Sequence, residues 1–285
     1  MFGFLNVYKP KGITSHDVVA RLRRVTKIRQ IGHTGTLDPF AEGVLPICIG
    51  KSTRLIEFLN DDKEYLATVQ FGKNTDSYDI DGKIIEEFDI KITSDDIEKS
   101  LKNFEGEIFQ YPPIYSAIKV DGKKLYEYAR EGKSVEIKPR KVVIELIRLE
   151  DFDYENQIAT IRVACSKGTY IRSIAYDLGK MLGSGAYLSK LVRTKAGKFL
   201  LNEAIKLDEF SEVDFVKKEL INPLKMLELP SVEINDKEHD KVLCGQILIA
   251  PQFLDNGFII LIYNNTISAV AQVEDGKIKV KKVFG

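Results

Sequence analysis

The chain has 285 residues, 44% hydrophobic and 29% charged, which is the balance of a soluble globular protein with material for one large or two ordinary domains. Its three cysteines lie far apart without a paired metal-binding motif, so neither a disulfide framework nor a zinc knuckle is indicated. The formal net charge is zero, which taken alone argues mildly against a nucleic-acid-binding protein.

The charge is nevertheless distributed unevenly along the chain. Residues 1–54 contain nine Lys and Arg against three acidic residues, and residues 162–198 contain eight against one. Residues 74–110 instead contain eleven acidic residues against four Lys. If the two basic segments meet in the fold, they would form a face that binds phosphates, whereas ordinary solvated surface is the alternative for either segment.

The first half of the chain is predicted to mix strands and helices without strict alternation. A strand at 3–8 precedes a Lys-Pro-Lys-Gly turn, and a helix capped by Thr14 or Ser15 extends to about Lys27. Glycine and proline residues predict a loop over 32–43. The other predicted elements of this half are strands at 44–49, 64–71 and 83–88, a short helix at 53–59 and a capped helix at 93–104.

In the second half of the chain, the pattern of predicted elements changes near Pro230. Before that point the predicted elements are a short helix at 122–132, strands at 141–151 and 157–165, and a helix at 170–182. After it, short apolar strands alternate with Asn-Gly and Asp-Gly turns, the pattern of antiparallel hairpins. We therefore expect an α+β fold, with a mixed, largely antiparallel sheet over residues 1–229 and a small all-β domain over 230–285.

No segment has the composition of a targeting signal or the length of a membrane span. The apolar residues 1–8 lack a charged leader, and the apolar stretch 258–263 is much too short to cross a bilayer. We therefore expect a cytoplasmic protein whose cysteines are buried, reduced thiols.

The segment 32–39 combines two glycines, His33 and Asp38, and Asp38 directly precedes a proline. The proline restricts the residue before it, so the carboxylate would stand on a stiff loop. Such a carboxylate could act as a nucleophile, a general base or a cation ligand. An Asx turn is the structural alternative, and local chemistry alone favours it.

The segment 165–172 joins a strand end, a glycine turn and a helix start, which is typical of an anion site at a helix N-terminus. Arg172 would lie in the first helical turn, where the helix dipole disfavours a cation. This placement suggests a specific acidic partner such as Asp38, and an exposed surface arginine is the alternative. Tyr65 opens a predicted strand, where a tyrosine is either a core residue or a ring that stacks on a base.

Several segments together resemble the bacterial tRNA pseudouridine-55 synthases, the TruB family, in order and spacing over about residues 1–200. The matching segments are 6–15, 32–39 with 43–46, 63–65, 115–119 with 122–126, and 165–172. The resemblance implies a pseudouridine synthase catalytic domain that converts uridine to pseudouridine at position 55, in the T-loop of tRNA, without a cofactor or metal. It further implies a thumb insertion at about 112–137 and a PUA-like RNA-binding domain at 230–285.

The same resemblance assigns roles to individual residues. Asp38 corresponds to the nucleophile, and Arg172 corresponds to the arginine that would keep its carboxylate charged and oriented. Tyr65 corresponds to the tyrosine that stacks on the flipped base and is a candidate proton acceptor at C2′. Tyr170 corresponds to a second tyrosine of the pocket, and Leu191 to an apolar wall residue. Whether the nucleophile attacks C1′ or C6, or acts through a glycal, stays open.

His33 corresponds to a histidine associated with base flipping, which is required because C1′ and C5 of a stacked uridine cannot be reached. The expected partner is the T-arm stem-loop of tRNA, bound by a monomer that requires no protein partner. The basic residues that we expect to contact the RNA are Lys9, Lys119, Lys123, Lys124, Lys167 and Arg193.

Two other functions remain compatible with parts of the pattern. The first is a non-catalytic protein that binds or folds tRNA on the same scaffold, although the joint presence of Asp38, Tyr65 and Arg172 speaks against it. The second is a hydrolase that uses Asp38 on a small phosphate ester. That activity would need a metal site, and the three histidines do not have metal-ligand spacing.

Overall fold

The computed structural model describes residues 1–284 of the chain, which contain a large mixed sheet followed by a smaller one. The strands before residue 230 are, in chain order, β1 (Gly3–Lys9), β2 (Ile31–His33), β3 (Glu42–Ile49), β4 (Lys63–Phe71), β5 (Lys73–Thr75), β6 (Ile84–Glu87), β7 (Gly106–Gln110), β8 (Lys119–Val120), β9 (Lys123–Lys124), β10 (Arg140–Asp153), β11 (Ile158–Cys165), β12 (Ala186–Ala196), β13 (Phe199–Leu200) and β14 (Ile205–Lys206). The α-helices of this part are α1 (Ser15–Thr26), α2 (Ser94–Leu101), α3 (Leu125–Arg130), α4 (Ile171–Leu182), α5 (Val213–Lys218) and α6 (Pro223–Met226). Short 3-10 helices span Gly50–Phe58, Lys102–Phe104, Leu201–Glu203 and Leu207–Glu209.

The large sheet is mixed and mostly antiparallel, as predicted. Its strand order is β14-β1-β3-β12-β4-β11-β10-β7, with β2 beside β3 and β13 beside β12. Within this described sheet, β1 with β14 and β3 with β12 are the parallel pairs. The sheet therefore brings the N-terminal segment and the segment after residue 186 side by side in its centre.

The predicted helices α1 and α4 are confirmed, and their ends follow from local chemistry. The side chain of Thr14 accepts a hydrogen bond from the backbone N–H of Asp17, whose carboxylate accepts one in return from the Thr14 N–H. Helix α4 ends at Gly183, which adopts the left-handed conformation (φ 68°) that glycine tolerates best. The predicted loop over 32–43 is shorter in the structure, because β2 and β3 extend into it from both sides.

The sequence pattern does not predict β12, the strand between β3 and β4. Its pairing with β4 shifts register between Leu188 and Lys190 and again between Arg193 and Lys195. Each shift changes the face of the sheet to which the following side chains point. The alternation of buried and exposed residues that identifies a half-buried strand is therefore interrupted.

The C-terminal strands form a separate sheet, as predicted. The strands are β15 (Ser231–Glu233), β16 (Leu248–Ile249), β17 (Gly257–Tyr263), β18 (Thr266–Glu274) and β19 (Lys277–Val283), in the order β15-β17-β18-β19-β16. One helix, α7 (Asp236–Leu243), corrects the expectation of an all-β unit. Its capping box between Asn235 and Glu238 was visible in the sequence, but its eight mostly polar residues give little apolar periodicity. Cys244 follows this helix and is exposed, whereas Cys48 and Cys165 are buried as expected.

The C-terminal sheet packs directly on the larger one and shares a hydrophobic core with it. Ile260, Val270 and Phe284 belong to the same buried cluster as Phe4 and Leu55 from the first part of the chain. Because these side chains are at most 6% exposed, the two sheets behave as one packed body rather than as a domain and a loose appendage.

Loss of a side chain at this shared core should therefore destabilise the whole protein. We expect Ile260→Ala to lower the free energy of unfolding by about 2–4 kcal/mol, because it removes buried carbon atoms and leaves a cavity. The measurement is urea unfolding of the full chain. Ile249→Ala is the matched control, since Ile249 is 89% exposed in the same sheet, and it should change stability by less than about 0.5 kcal/mol. Equal stability of the two variants would contradict a shared core.

No α-helix among residues 1–284 is long and apolar enough to span a membrane.

Candidate active site

A cleft of about 430 Å³ lies where the loop after β2, the start of β4, the segment after β7 and the N-terminus of α4 meet. The predicted site residues Asp38, Tyr65, Tyr170, Arg172 and Leu191 all line it. These residues come from four separate segments of the sequence, and the sheet brings them together.

Asp38 and Arg172 form an ion pair in this cleft. Nε of Arg172 lies 3.0 Å from Oδ2 of Asp38, and a terminal guanidinium nitrogen donates a hydrogen bond of 3.3 Å to Oδ1. The arginine side chain is 6% exposed and the aspartate side chain 35% exposed. The buried arginine therefore orients the carboxylate, which remains accessible from the cleft. The acidic partner expected for an arginine in a first helical turn is therefore confirmed.

A second carboxylate, Asp79, also contacts Arg172. The other terminal guanidinium nitrogen lies 3.2 Å from Oδ2 of Asp79, whose side chain is 6% exposed. Burial raises the pKa of Asp79, while the hydroxyl of Ser77, at 2.6 Å, and the charge of Arg172 act in the opposite direction. One buried arginine thus bridges two carboxylates, an arrangement that orients it tightly.

Sequence reasoning missed Asp79 because this residue lies in the acidic segment 74–110, which is interpreted most simply as solvated surface. Neither its spacing nor its neighbours distinguish it from the other acidic residues there. The structure buries it through a parallel bridge to Leu188 of β12, a strand that the sequence pattern did not reveal.

Backbone carbonyls complete the surroundings of Arg172. Its guanidinium donates to the carbonyl oxygen of Ser77 at 3.2 Å and to that of Tyr115 at 3.0 Å. Tyr115 lies near the start of the segment over about 112–137, which is predicted to form the thumb. The residue that orients Asp38 is therefore also bonded to the base of this segment.

The loop that carries Asp38 is fixed by its own backbone contacts. The hydroxyl of Ser15 accepts a hydrogen bond from the N–H of Leu37 at 2.8 Å and lies 3.1 Å from the Leu37 carbonyl oxygen. The side chains of Leu37 and Phe40 are buried on either side of Asp38. The Asp38 carboxylate faces Arg172, whereas an Asx turn would direct it to the backbone of its own loop.

Three further predicted residues form the walls of the cleft. Tyr65 and Leu191 are 7% and 5% exposed, and burial raises the pKa of the Tyr65 phenol, with Arg193 acting in the opposite direction. Tyr170 is the N-cap residue of α4, where its backbone N–H and carbonyl are both bonded to the side chain of Gln110, at 2.7 and 3.0 Å. The raised pKa keeps the Tyr65 phenol in its usual protonated form at neutral pH.

Lys9 and Arg193 are buried rather than exposed, although Arg193 also lines the cleft, and their contact with RNA stays a prediction. Lys9 is fully buried, and its ammonium donates to the carbonyl oxygens of Pro10 and Ile13 at 3.0 and 2.7 Å. Arg193 is 1% exposed and donates to the carbonyl oxygens of Val44 and Gly35. Lys9 also lies 3.4 Å from the carbonyl oxygen of Pro39, so both cations contact carbonyl groups of the loop that carries Asp38.

Removal of the Lys9 ammonium should destabilise this region. We expect Lys9→Met to lower the free energy of unfolding by about 1–3 kcal/mol, because buried carbonyl groups would lose their donor. Lys11→Met is the control, since Lys11 is exposed two residues further along the chain. Urea unfolding of both variants measures the difference. A Lys9→Met variant as stable as Lys11→Met would show that the buried ammonium contributes nothing.

The remaining basic residues lie at the surface near the cleft, where their contact with RNA stays a prediction. Lys119, Lys123 and Lys124 belong to the β8–β9 hairpin of the thumb, and Lys123 forms an ion pair with Glu131. Lys167 lines the cleft and lies 2.8 Å from Asp61. Its side chain is 72% exposed, so this pair is weak and exchangeable.

His33 lies at the end of β2 and is not among the residues that line the cleft. Its Nδ1 is buried and has no hydrogen-bond partner among the described residues. Burial lowers the pKa of His33, assisted by the charge of Arg193, so the ring is neutral at physiological pH. A neutral ring is suited to stacking, but its role in base flipping stays a prediction.

Within residues 1–284, His, Cys, Asp and Glu side chains do not gather into a group of three or more that could hold a metal ion.

Comparison with known proteins gives two family matches. The model described as "TruB family pseudouridylate synthase (N terminal domain)" matches residues 23–171. The model described as "tRNA pseudouridylate synthase B C-terminal domain" matches residues 172–229. The two matches are continuous and contain Asp38, Tyr65, Arg172 and Leu191.

Curated relatives agree with these matches. A protein of Oceanobacillus iheyensis named tRNA pseudouridine synthase B is 46% identical over 257 residues, which is 87% of this chain and 84% of that protein. Proteins with the same name from Caldanaerobacter subterraneus subsp. tengcongensis and Staphylococcus aureus are 41% and 43% identical, each covering 99% of this chain and 99% of the relative.

Solved structures extend the likeness to the fold. The archaeal box H/ACA sRNP Nop10-Cbf5 complex contains a chain that is 25% identical, with a TM-score of 0.73 and coverage of 99% of this chain and 86% of that one. A chain of a Cbf5-Nop10-Gar1 complex is 28% identical, with a TM-score of 0.72 and coverage of 100% and 85%. With an α+β fold centred on a mixed sheet, both family matches and relatives above 40% identity, this chain belongs to the TruB family of pseudouridylate synthases.

Proposed function

We propose that this protein isomerises uridine to pseudouridine in tRNA, at position 55 of the T-loop. The observation that carries the proposal is the Asp38 carboxylate, held 3.0 Å from the guanidinium of Arg172 and open to a cleft with an aromatic and an aliphatic wall. Relatives named tRNA pseudouridine synthase B support the reaction and the class of substrate. They favour a catalytic role over that of a non-catalytic RNA-binding protein.

The reaction breaks the N1–C1′ bond of uridine, forms a C5–C1′ bond and releases the proton of C5, while N1 regains a proton. Asp38 is the nucleophile in this proposal. Arg172 stabilises its charge and fixes the direction of one oxygen, so that the reacting atoms meet without reorganisation. Attack at C1′, attack at C6 and a glycal route all begin from this same oriented carboxylate.

The walls of the cleft suit a single uracil ring. Tyr65 provides an aromatic face for stacking and Leu191 an apolar surface, both at least nine-tenths buried. Because burial raises the pKa of Tyr65, its phenol is a poor proton acceptor in the free protein. We therefore assign stacking as its main role, and acceptance of the C2′ proton only if the bound substrate provides a relay.

A volume of about 430 Å³ is in the range of pockets that enclose one small molecule. A nucleotide within a stacked loop is too large for it, so the target uridine has to leave the stack first. We propose that the ring of His33, close to the Asp38 loop, occupies the position in the base stack that the uridine leaves. The thumb and the C-terminal PUA-like sheet are proposed to hold the T-arm outside the cleft.

The named bacterial relatives carry no partner in their names, whereas the two solved structures contain Nop10, or Nop10 and Gar1, beside Cbf5. We propose that this chain acts as a monomer, without a protein partner, in the cytoplasm.

The choice of RNA arm tests the substrate part of the proposal. The purified protein is incubated separately with an unmodified T-arm stem-loop and with an anticodon-arm stem-loop of equal length, and pseudouridine is mapped by carbodiimide labelling and primer extension. We expect one pseudouridine in the T-arm, at position 55, and none in the anticodon arm. Modification of the anticodon arm alone would refute the proposed site.

A further inference from the structure

Ser116 lies on the thumb side of the cleft and has no assigned role in the reaction. It lines the cleft with Tyr170 and Leu191, and only 5% of its surface is exposed. The thumb fixes its backbone, because the Ser116 carbonyl accepts a hydrogen bond from the N–H of Tyr126 at 3.1 Å. The side chain is therefore placed by the fold and not by its own hydrogen bonds.

The hydroxyl group of Ser116 is buried and forms no hydrogen bond of normal geometry among the described residues. The Tyr170 phenol is a polar neighbour: burial raises the pKa of Tyr170, and its interaction with Ser116 opposes that rise. A hydroxyl offers one donor and two acceptor sites, so most of its capacity is unused. Buried polar atoms without partners are rare in folded proteins, and at the wall of a cleft they point to a ligand.

The chemistry of a flipped uracil supplies the missing partner. A base that leaves its stack also loses the hydrogen bonds of its N3–H and O4 edge, and a closed site has to replace them. Asp38 and Arg172 are paired with each other, and Tyr65 and Leu191 present their ring and methyl groups. The Ser116 hydroxyl retains capacity to donate to O4 or to accept from N3–H.

The position of Ser116 also couples this contact to the nucleophile. The preceding residue, Tyr115, accepts a hydrogen bond from the guanidinium of Arg172 at 3.0 Å. The chain that brings Ser116 to the base therefore also contacts the residue that orients Asp38.

We propose that Ser116 is a substrate-binding residue whose hydroxyl forms a hydrogen bond with the N3–H/O4 edge of the flipped uracil. This inference rests on the proposed function, because it assumes that a uridine enters the cleft. It adds a base contact from a segment whose Tyr115 also contacts Arg172.

The test compares Ser116→Ala with Ser134→Ala, a matched control because Ser134 is exposed on the same thumb. Both are assayed on T-arm stem-loops that carry either uridine or 4-thiouridine at the target position, with nucleoside chromatography as the readout. On uridine, we expect Ser116→Ala to lower kcat/KM about tenfold and Ser134→Ala to change it less than about twofold. On 4-thiouridine, whose sulfur accepts hydrogen bonds poorly, the Ser116→Ala loss should shrink to about twofold.

Thermal unfolding in the absence of RNA separates binding from structure. The Ser116→Ala protein should unfold close to the wild-type temperature, because the hydroxyl forms no hydrogen bond of normal geometry in the free protein. A lower unfolding temperature, equal activity of the two variants, or equal losses on both RNAs would overturn the inference. If Ser116→Ala does not fold, Ser116→Cys, a near-isosteric weak donor, should show an intermediate loss, and full activity would overturn it.

The activity of the wild-type protein separates a failure of the proposed function from a failure of the Ser116 contact. A wild-type protein that makes no pseudouridine in either stem-loop would refute the proposed function. An active wild-type protein with a fully active Ser116→Ala variant would refute the Ser116 contact alone.

Discussion

Replacement of Asp38 by Asn is expected to abolish pseudouridine formation, with kcat at least about 10⁴-fold lower. The amide has nearly the shape of the carboxylate but is neither a nucleophile nor a base at neutral pH. Its nitrogen also cannot pair with the guanidinium of Arg172, 3.0 Å away. Since the Asp38 side chain is 35% exposed, the protein should remain folded and should still bind tRNA.

Asp95→Asn provides the control for this experiment, because Asp95 is exposed in the first turn of α2. It should be fully active within about twofold. Filter binding with unmodified tRNA should show the same affinity for both variants within about threefold, which would place the loss in the chemical step. Turnover of Asp38→Asn within tenfold of the wild type would exclude Asp38 as the nucleophile.

The second large effect is expected for Arg172→Ala. This change removes the donor that orients Asp38 and also leaves Asp79 buried without its cation. We expect kcat to fall by about 10²–10⁴-fold because the carboxylate loses its fixed direction. Stability should fall by about 3–5 kcal/mol, because an uncompensated buried charge is costly. The burial that already raises the pKa of Asp79 would then act without opposition from Arg172.

A double variant separates these two consequences. Asp79→Asn in the Arg172→Ala background removes the unpaired charge, so it should recover most of the lost stability. It should recover none of the lost activity, because Asp38 stays without its partner. Urea unfolding and single-turnover assays measure the two effects. Recovery of activity together with stability would mean that Arg172 serves the fold and not the nucleophile.

The parts of the site that the sequence could predict depend on local chemistry. Arg172 stands in a first helical turn, where the dipole disfavours it, and this conflict correctly indicated an acidic partner. Helices α1 and α4 were predicted because their caps and apolar faces are encoded within a dozen residues. The family resemblance also predicted Tyr65, Tyr170 and Leu191 as site residues. The fold places all three in one cleft.

The parts that it could not predict depend on contacts between distant segments. Lys9 and Arg193 carry charges, and sequence composition assigned them to the RNA-binding surface. Lys9 donates to carbonyls of the turn after β1 and also lies 3.4 Å from the carbonyl oxygen of Pro39. Arg193 donates to Val44 and Gly35, which reach it only because β3 and β12 pair in the folded sheet. Asp79 was indistinguishable from its acidic neighbours for the same reason, because only the folded chain brings it to Arg172.

Release of tritium from C5 measures the isomerisation itself, because the reaction must exchange that hydrogen whichever route the nucleophile takes. The wild-type protein is incubated with a tRNA transcript labelled with tritium at C5 of uridine, without added cofactor. We expect release equal to one uridine per tRNA from the wild type and none from Asp38→Asn. Retention of all tritium by RNA treated with folded wild-type protein would contradict this expectation.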